Sequence, residues 1–435
     1  MSAQESSVSS DHLLRLNARD LLIGMFISEI DCAWSDTPFP MGGFHLKTAG
    51  DIQILQKYCK TVEIDTNRGL SPPRNRAADL TILSSARKAA PSATALKVDR
   101  DTYPVIKTIK QQIDKANQDY ETLVESFQHV ADGVRTGKKL ELEEIEKSSA
   151  SIVSLILANP QTLIWILNTE SNPRTPTAYC VRAAIWATIL ARQFGMSEKE
   201  IKVLFLGTLL CDIGLHLLPE RLVNKRGPFR KKEFLAYRKH VEFGLELLTQ
   251  HPELDDKIMR IVRCHHERHD GLGFPKCIKG EQLPSLARFA NMAYCFERLL
   301  YTNCVEKSVS PANGITRLYK QRMLKFPEQL IVEFIHVMGM YPIGSVVEIS
   351  TGELAIILEQ NESERLFPKI AVITDDKQKL LQNPAIVDLG AKSKDGISRT
   401  INNSANLNNA QIDLEEYRFQ FFGKKLGLGS LAVRF

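Results

Sequence analysis

The sequence predicts a multidomain α+β protein in which an all-α helical domain is preceded by a small β-rich domain and followed by a short β segment. Three observations carry this. From about 142 to 338 the apolar positions keep helical spacing, loops are short and strand signals are scarce. Ahead of that, "LLIGMFISEID" is an apolar stretch followed by the Pro and Gly turns of "TPFPMGGF". Behind it, "MYPIGSVVEISTGELAIILEQ" (340–360) switches to period two around a Gly turn.

Taken in order, residues 12–66 form the β-rich unit with one helix, "AGDIQILQKYC", and a strand, "TVEID". Residues 67–100 are rich in Arg, Pro, Ser and Ala and read as a partly disordered linker. Residues 101–141 hold a connecting amphipathic helix. Ile106, Ile109, Ile113, Ala116, Tyr120, Leu123, Phe127, Val130 and Val134 follow steps of three and four, with Thr102 and Pro104 as the helix start. This 106–134 stripe fits either packing on its own domain or a homodimer contact, and Ala116 and Tyr120 are poor coiled-coil core choices. The helical domain spans 142–338 and the β segment spans 339–375, with "PKIAVIT" as a further strand. Residues 376–435 include the low-complexity "SRTINNSANLNNAQ" and read as a partly disordered tail.

Composition narrows the function classes. The chain has 435 residues, 43% hydrophobic and 25% charged, with a net charge of +5. No dense basic run marks a nucleic-acid binder. No apolar run is long enough to span a membrane, since "SIVSLILANPQTLIWIL" is interrupted by Asn159, Pro160, Gln161 and Thr162. No signal peptide is evident in "MSAQESSVSSDHLLRLN", and eight scattered cysteines without a CxxC pair fit a reduced, cytoplasmic setting.

Chemistry concentrates in "GTLLCDIGLHLLP" (207–219), "HVEFG" (240–244) and "HHERHDGLGFP" (265–275). Asp212 lies in an apolar run, where a carboxylate is costly unless paired or bound to metal. Asp212 with His240, His265 and His266 is a donor set that suits a divalent metal. Asp270, Gly271, Gly273, Phe274 and Pro275 form a turn in which the glycines permit backbone angles that other residues resist.

These three strings resemble the HD-GYP branch of the HD metal phosphohydrolases. "NARDLLIGMFISEIDCAWSDTPFPMGGF" is similar to the small domain that often precedes that domain, and "MGMYPIGSVVEISTGELAIIL" to the β segment that often follows it. The resemblance implies hydrolysis of cyclic di-GMP with two or three metals, often iron or manganese, which generate and aim the nucleophile of an in-line displacement. Carried over by position, the ligands of one metal are Asp212, His240, His265 and His266, all present. The other metal loses three of its ligands: its first His falls on Tyr179, the His of the His-Asp pair on Cys211, and the last Asp on Tyr294. An extra acidic ligand of trimetal members falls on Thr175. The phosphate-binding Lys falls on Leu215 and the Arg on Asn303. Phe274 replaces the family's Tyr, and Asp270 reads as a loop-fixing acceptor. His216 and His269 lie near enough in sequence to be substitute ligands.

The expectation is therefore a degenerate HD-GYP protein of cyclic di-GMP signalling, regulatory or scaffolding, with little or no hydrolysis. It holds one divalent metal (Fe, Mn or other) and has lost the second site. Its expected partners are cyclic di-GMP or signalling proteins such as diguanylate cyclases. The alternative is an active metal-dependent phosphodiesterase with non-standard ligands, because a Cys thiolate or a Tyr phenolate can also bind metal.

Overall fold

The computed structural model describes residues 13–31, 44–46, 48–66, 68–70, 97–170, 175–225, 227–300, 309–322, 324–361, 366–391, 399–405, 412 and 414–422. Most of the expected 67–100 linker, and Asn303, lie outside the described residues. The chain divides into two compact units, one drawn from 1–95, 348–355 and 359–403, the other from 96–347, 356–358 and 404–435.

In the first unit, β1 (Leu13–Asn17), β2 (Phe26–Ile30), β3 (Phe44–His45) and β4 (Thr61–Asp65) form a sheet of order β1–β4–β2–β3, with α1 (Ala49–Tyr58) between β3 and β4. All three pairings are antiparallel. Leu16, Ile27, Val62 and Ile64 from the strands and Leu55 from α1 make its core. α1 starts at a capping box in which Thr48 and Asp51 satisfy each other's backbone N–H groups.

A second sheet holds β5 (Val346–Ile349), β6 (Leu354–Glu359), β7 (Lys369–Thr374), β8 (Leu380–Asp388) and β9 (Ile401–Ser404), in the order β8–β7–β6–β5–β9. β8 and β9 fall in the 376–435 stretch expected to be a loose tail. β8 is an exposed edge strand interrupted by Pro384, so its sequence signals no core strand; its antiparallel pairing to β7, Ile370 opposite Val387, is what orders it.

The second unit is helical. Its elements are α2 (Ile109–Arg135), α3 (Glu143–Ala158), α4 (Pro160–Thr169), α5 (Pro176–Gln193), α6 (Glu198–Leu209), α7 (Glu220–Val223), α8 (Lys231–Arg238), α9 (His240–Leu248), α10 (Asp256–Cys264), α11 (Ser285–Leu300), α12 (Pro311–Tyr319), α13 (Glu328–Met338) and α14 (Leu414–Phe421). α2 begins later than Thr102 and Pro104 suggest, at a capping box of Thr108 with Gln111. Its stripe from Ile113 to Val134 is buried, and the helix packs on α3, α4 and α5 of its own chain. Ile106 precedes the helix and is 69% exposed. α14, also in the expected tail, packs on α4, where Phe422 meets Trp165 edge-on at 4.8 Å. Among the described residues no single helix is long and apolar enough to cross a membrane; α3 and α4 meet that test only as a pair bent by 111°.

α5 is the axis of this unit, buried from Thr177 to Gln193 and packed on α6 and α11. Trp186 meets Phe296 at 5.4 Å, and Phe296 meets Phe334 at 4.8 Å. A charged network crosses the same core. Fully buried Arg182 donates from Nε to Glu297 at 2.7 Å, and from its terminal nitrogens to Glu170 at 2.7 Å and the Leu167 carbonyl at 2.9 Å. Trp186 donates to the second Glu297 oxygen and Tyr120 to Glu170. The network ties α2, α5 and α11 to the end of α4, and so fixes the helices that carry residues 179 and 294. Arg182→Met is expected to destabilise the protein by about 3–5 kcal/mol, because Glu297 stays buried without its cation. Urea unfolding checks this, with Glu297→Gln in the same chain recovering a large part of the loss.

Candidate metal centre

The centre is assembled from three breaks in helices. α6 ends at Leu209, and the chain turns through Cys211 and Asp212 into a short 3-10 segment, Ile213–Leu217. That segment lies hard against the start of α9. A Cβ on Gly214 would fall 2.0 Å from the His240 carbonyl oxygen and 2.5 Å from the Gly244 nitrogen, so only glycine lets Asp212 approach His240. α10 ends at Cys264, and the His pair follows at once. Asn291 of α11 donates to the carbonyls of Cys264 and Glu267 at 3.1 and 2.8 Å, clamping the turn that bears the pair.

Asp212, His240, His265 and His266 present ligand atoms that all lie within 4.8 Å of one another. His240 Nδ1 faces the Tyr237 carbonyl at 2.6 Å, and His265 Nδ1 faces the Val262 carbonyl at 2.7 Å. A carbonyl only accepts, so each Nδ1 carries a proton and each Nε2 is turned toward Asp212. Those two Nε2 atoms are 3.3 Å apart, and each is 3.2 Å from Asp212 Oδ1. With both rings in the neutral tautomer, three lone pairs would converge at one point. A proton relieves one such contact; a divalent cation relieves all three. His266 Nε2 is sealed from solvent and has no hydrogen-bond partner, another donor waiting on a cation. The donor set therefore fits one metal.

Burial alone would raise the Asp212 carboxyl, but His240 and His265 outweigh it and hold Asp212 well below the carboxylate range. Burial, reinforced by His265 and His240, holds the His266 imidazole well below its ordinary value.

The other face of Asp212 differs. Oδ2 accepts a hydrogen bond from the Tyr294 hydroxyl at 2.5 Å. Burial, then Asp212 and Tyr237, push that phenol well above its usual range, so it stays protonated and donates. Cys211, Ala183 and Tyr294 pack together as a small buried cluster. Burial, then Cys180 and Asp212, raise the Cys211 thiol as well. Cys180, Cys211 and Asp212 nonetheless form a second group of ligand atoms within 4.8 Å. Tyr179 is buried at the start of α5, where Thr175 serves as the helix cap, accepting from the Ala178 nitrogen at 3.2 Å. Leu215 is buried in the 3-10 segment. Neither His216 nor His269 joins a ligand group among the described residues.

The 270–275 turn closes over the His pair. Phe274 stacks on His266 with ring centres 4.4 Å apart, and Arg238 lies 5.0 Å over the outer ring. A Cβ on Gly273 would fall 2.5 Å from the Glu267 and Arg268 backbone. Gly271 has φ +78°, and the Phe274–Pro275 bond is cis. Asp270 accepts two bonds from Arg268 and one from the Leu272 nitrogen, an arrangement internal to the loop.

Four residues around the centre escape the sequence motifs. Cys180 follows Tyr179 directly, Tyr237 supplies the carbonyl for His240, and Arg298 lies one turn beyond Tyr294. Asn291, one turn before Tyr294, has no signal in the sequence. The first three were findable by helical spacing from the motif positions.

With that geometry in view, comparison with known proteins defines the class. Residues 161–326 match the HD domain family, and residues 13–145 match a domain of unknown function, DUF3391. The chain thus carries an HD domain behind a DUF3391 domain, and the relatives it resembles are cyclic di-GMP phosphodiesterases. It is 26% identical to the cyclic di-GMP phosphodiesterase PA4108 of Pseudomonas aeruginosa over 87% of this chain and 89% of that protein. It is 29% identical to the cyclic di-GMP phosphodiesterase response regulator RpfG of Xanthomonas campestris pv. campestris, over 34% of this chain and 39% of that one. Among solved structures, the HDG"Y"P protein Bd1817 of Bdellovibrio bacteriovorus aligns over 75% of this chain and 99% of its own, with 18% identity and a TM-score of 0.44.

The depressed His266 value gives a stability prediction. In the unfolded chain His266 takes a proton near its ordinary pKa of about 6.5, whereas the folded site resists it. Below that pH the unfolded state binds more protons, so chelator-treated protein loses stability as pH falls from about 7 to about 5. Urea unfolding across this range checks it: His266→Phe is expected to flatten the dependence.

Proposed function

We propose that this chain is a degenerate HD-GYP protein of cyclic di-GMP signalling, holding one divalent metal on Asp212, His240, His265 and His266 and hydrolysing little or no nucleotide. Its role is regulatory, exerted by binding the nucleotide or a partner such as a diguanylate cyclase, in the cytoplasm, where its thiols stay reduced. The observation that carries the reading is the Tyr294 hydroxyl on Asp212 Oδ2. In-line hydrolysis of a phosphodiester by two metals needs a ligand shared between them, with metals about 3.5–4 Å apart. Here the face of Asp212 turned away from the histidines is taken by a protonated phenol, in the space beside Cys211. When bound, the single metal would act as a Lewis acid toward a phosphoryl oxygen; among the described residues no second ligand set of ordinary hardness lies beside it.

One observation favours a second reading. Cys180, Cys211 and Asp212 could hold a soft second metal, which would make the protein an active phosphodiesterase with unusual ligands. The raised Cys211 thiol weighs against it, since the thiolate is the ligand form.

Oxygen-free protein loaded with ferrous iron or manganese is expected to release no linear product from cyclic di-GMP and to carry about one metal per chain. The variant with Tyr179→His, Cys211→His and Tyr294→Asp runs beside it. Turnover by the wild type, with two metals bound and lost on Cys180→Ser, would establish the second reading instead.

A further inference from the structure

We propose that Arg298 is an anion-binding residue of this site, recruiting the phosphodiester of a cyclic dinucleotide to the mouth of the metal centre. The inference deepens the reading of a nucleotide-binding, non-hydrolysing protein and rests on it. Sequence motifs locate no cation here, because both phosphate-binding positions of the family pattern, 215 and 303, are uncharged in this chain.

The geometry comes from α11. Arg298 stands four residues after Tyr294, so the two side chains share a helix face. Tyr294 is anchored on Asp212, which places Arg298 one turn from the metal ligands. Its guanidinium carbon lies 5.1 Å from the centre of the Tyr179 ring, a cation–π contact that orients the group. Tyr179 and Tyr294 are two of the three positions at which the family pattern's second-metal ligands are missing. A fixed positive charge therefore sits beside the space that a second cation would have held.

Two further facts point to an external anion. Among the described residues Arg298 makes no ion pair and no hydrogen bond, so none of its five donors is spent there. It is exposed by surface area. A guanidinium matches phosphate oxygens with two parallel N–H donors, a fit that ammonium lacks.

The test is calorimetric titration of the full chain with cyclic di-GMP, manganese-loaded and chelator-treated, with metal content measured separately. Wild type is expected to bind. Arg298→Ala is expected to weaken binding by about tenfold or more, and Arg298→Lys to fall between, since it keeps the charge and loses the fork. Metal content and melting temperature of both variants should match wild type. Equal affinity in wild type and Arg298→Ala, or no binding by wild type, overturns the proposal. Binding that depends on Arg298 in a chain that takes up no metal would remove the metal reading and leave this one standing.

Discussion

Everything in the centre turns on the two oxygens of one buried carboxylate. Asp212 Oδ1 faces two imidazole nitrogens at 3.2 Å, and Oδ2 faces a phenol at 2.5 Å. The first face is electrostatically incomplete without a cation; the second is complete with a proton. A carboxylate that is 3% exposed must be satisfied on both sides. The chain satisfies one side with a neutral donor and turns the other toward imidazoles that, with it, could hold a metal.

The surrounding fold holds that asymmetry in place. Gly214 lets the Asp212 turn press against α9, and Asn291 fixes the turn after α10. The Arg182 network locks α5 against α11, so Tyr179 and Tyr294 occupy their positions with little freedom. Replacing ligands by tyrosine is then a packing solution as well as a chemical one. The Tyr294 ring fills space beside Ala183 and Cys211, and its hydroxyl serves the carboxylate. A site stripped of ligands without such filling would leave a polar cavity and an unpaired charge.

Much of this was legible in the sequence. The helical domain, the strands either side of it and the ligand group Asp212, His240, His265 and His266 follow from periodicity and from motif resemblance. Spacing also exposed the 113–134 stripe, although periodicity does not say which partner covers it; here it is the chain's own helices. What stayed hidden depends on long-range pairing. β8 is broken by Pro384 and does not read as a core strand, but pairs with β7 at the sheet edge, while α14 is ordered by Trp165. The start of α2 moved because the Thr108–Gln111 capping box outcompetes the earlier Thr-Pro signal. Arg298 and Cys180 carry no motif of their own: Arg298 gains meaning from the helix face it shares with Tyr294, and Cys180 from its approach to Cys211 and Asp212.

The most direct test of the central claim is manganese anomalous diffraction from crystals of the full chain grown in excess manganese without oxygen. One peak per chain among Asp212 Oδ1 and the three imidazoles, with Tyr294 still bonded to Oδ2, is the predicted result. Two peaks about 3.5–4 Å apart sharing Asp212, with Tyr294 displaced, would contradict it.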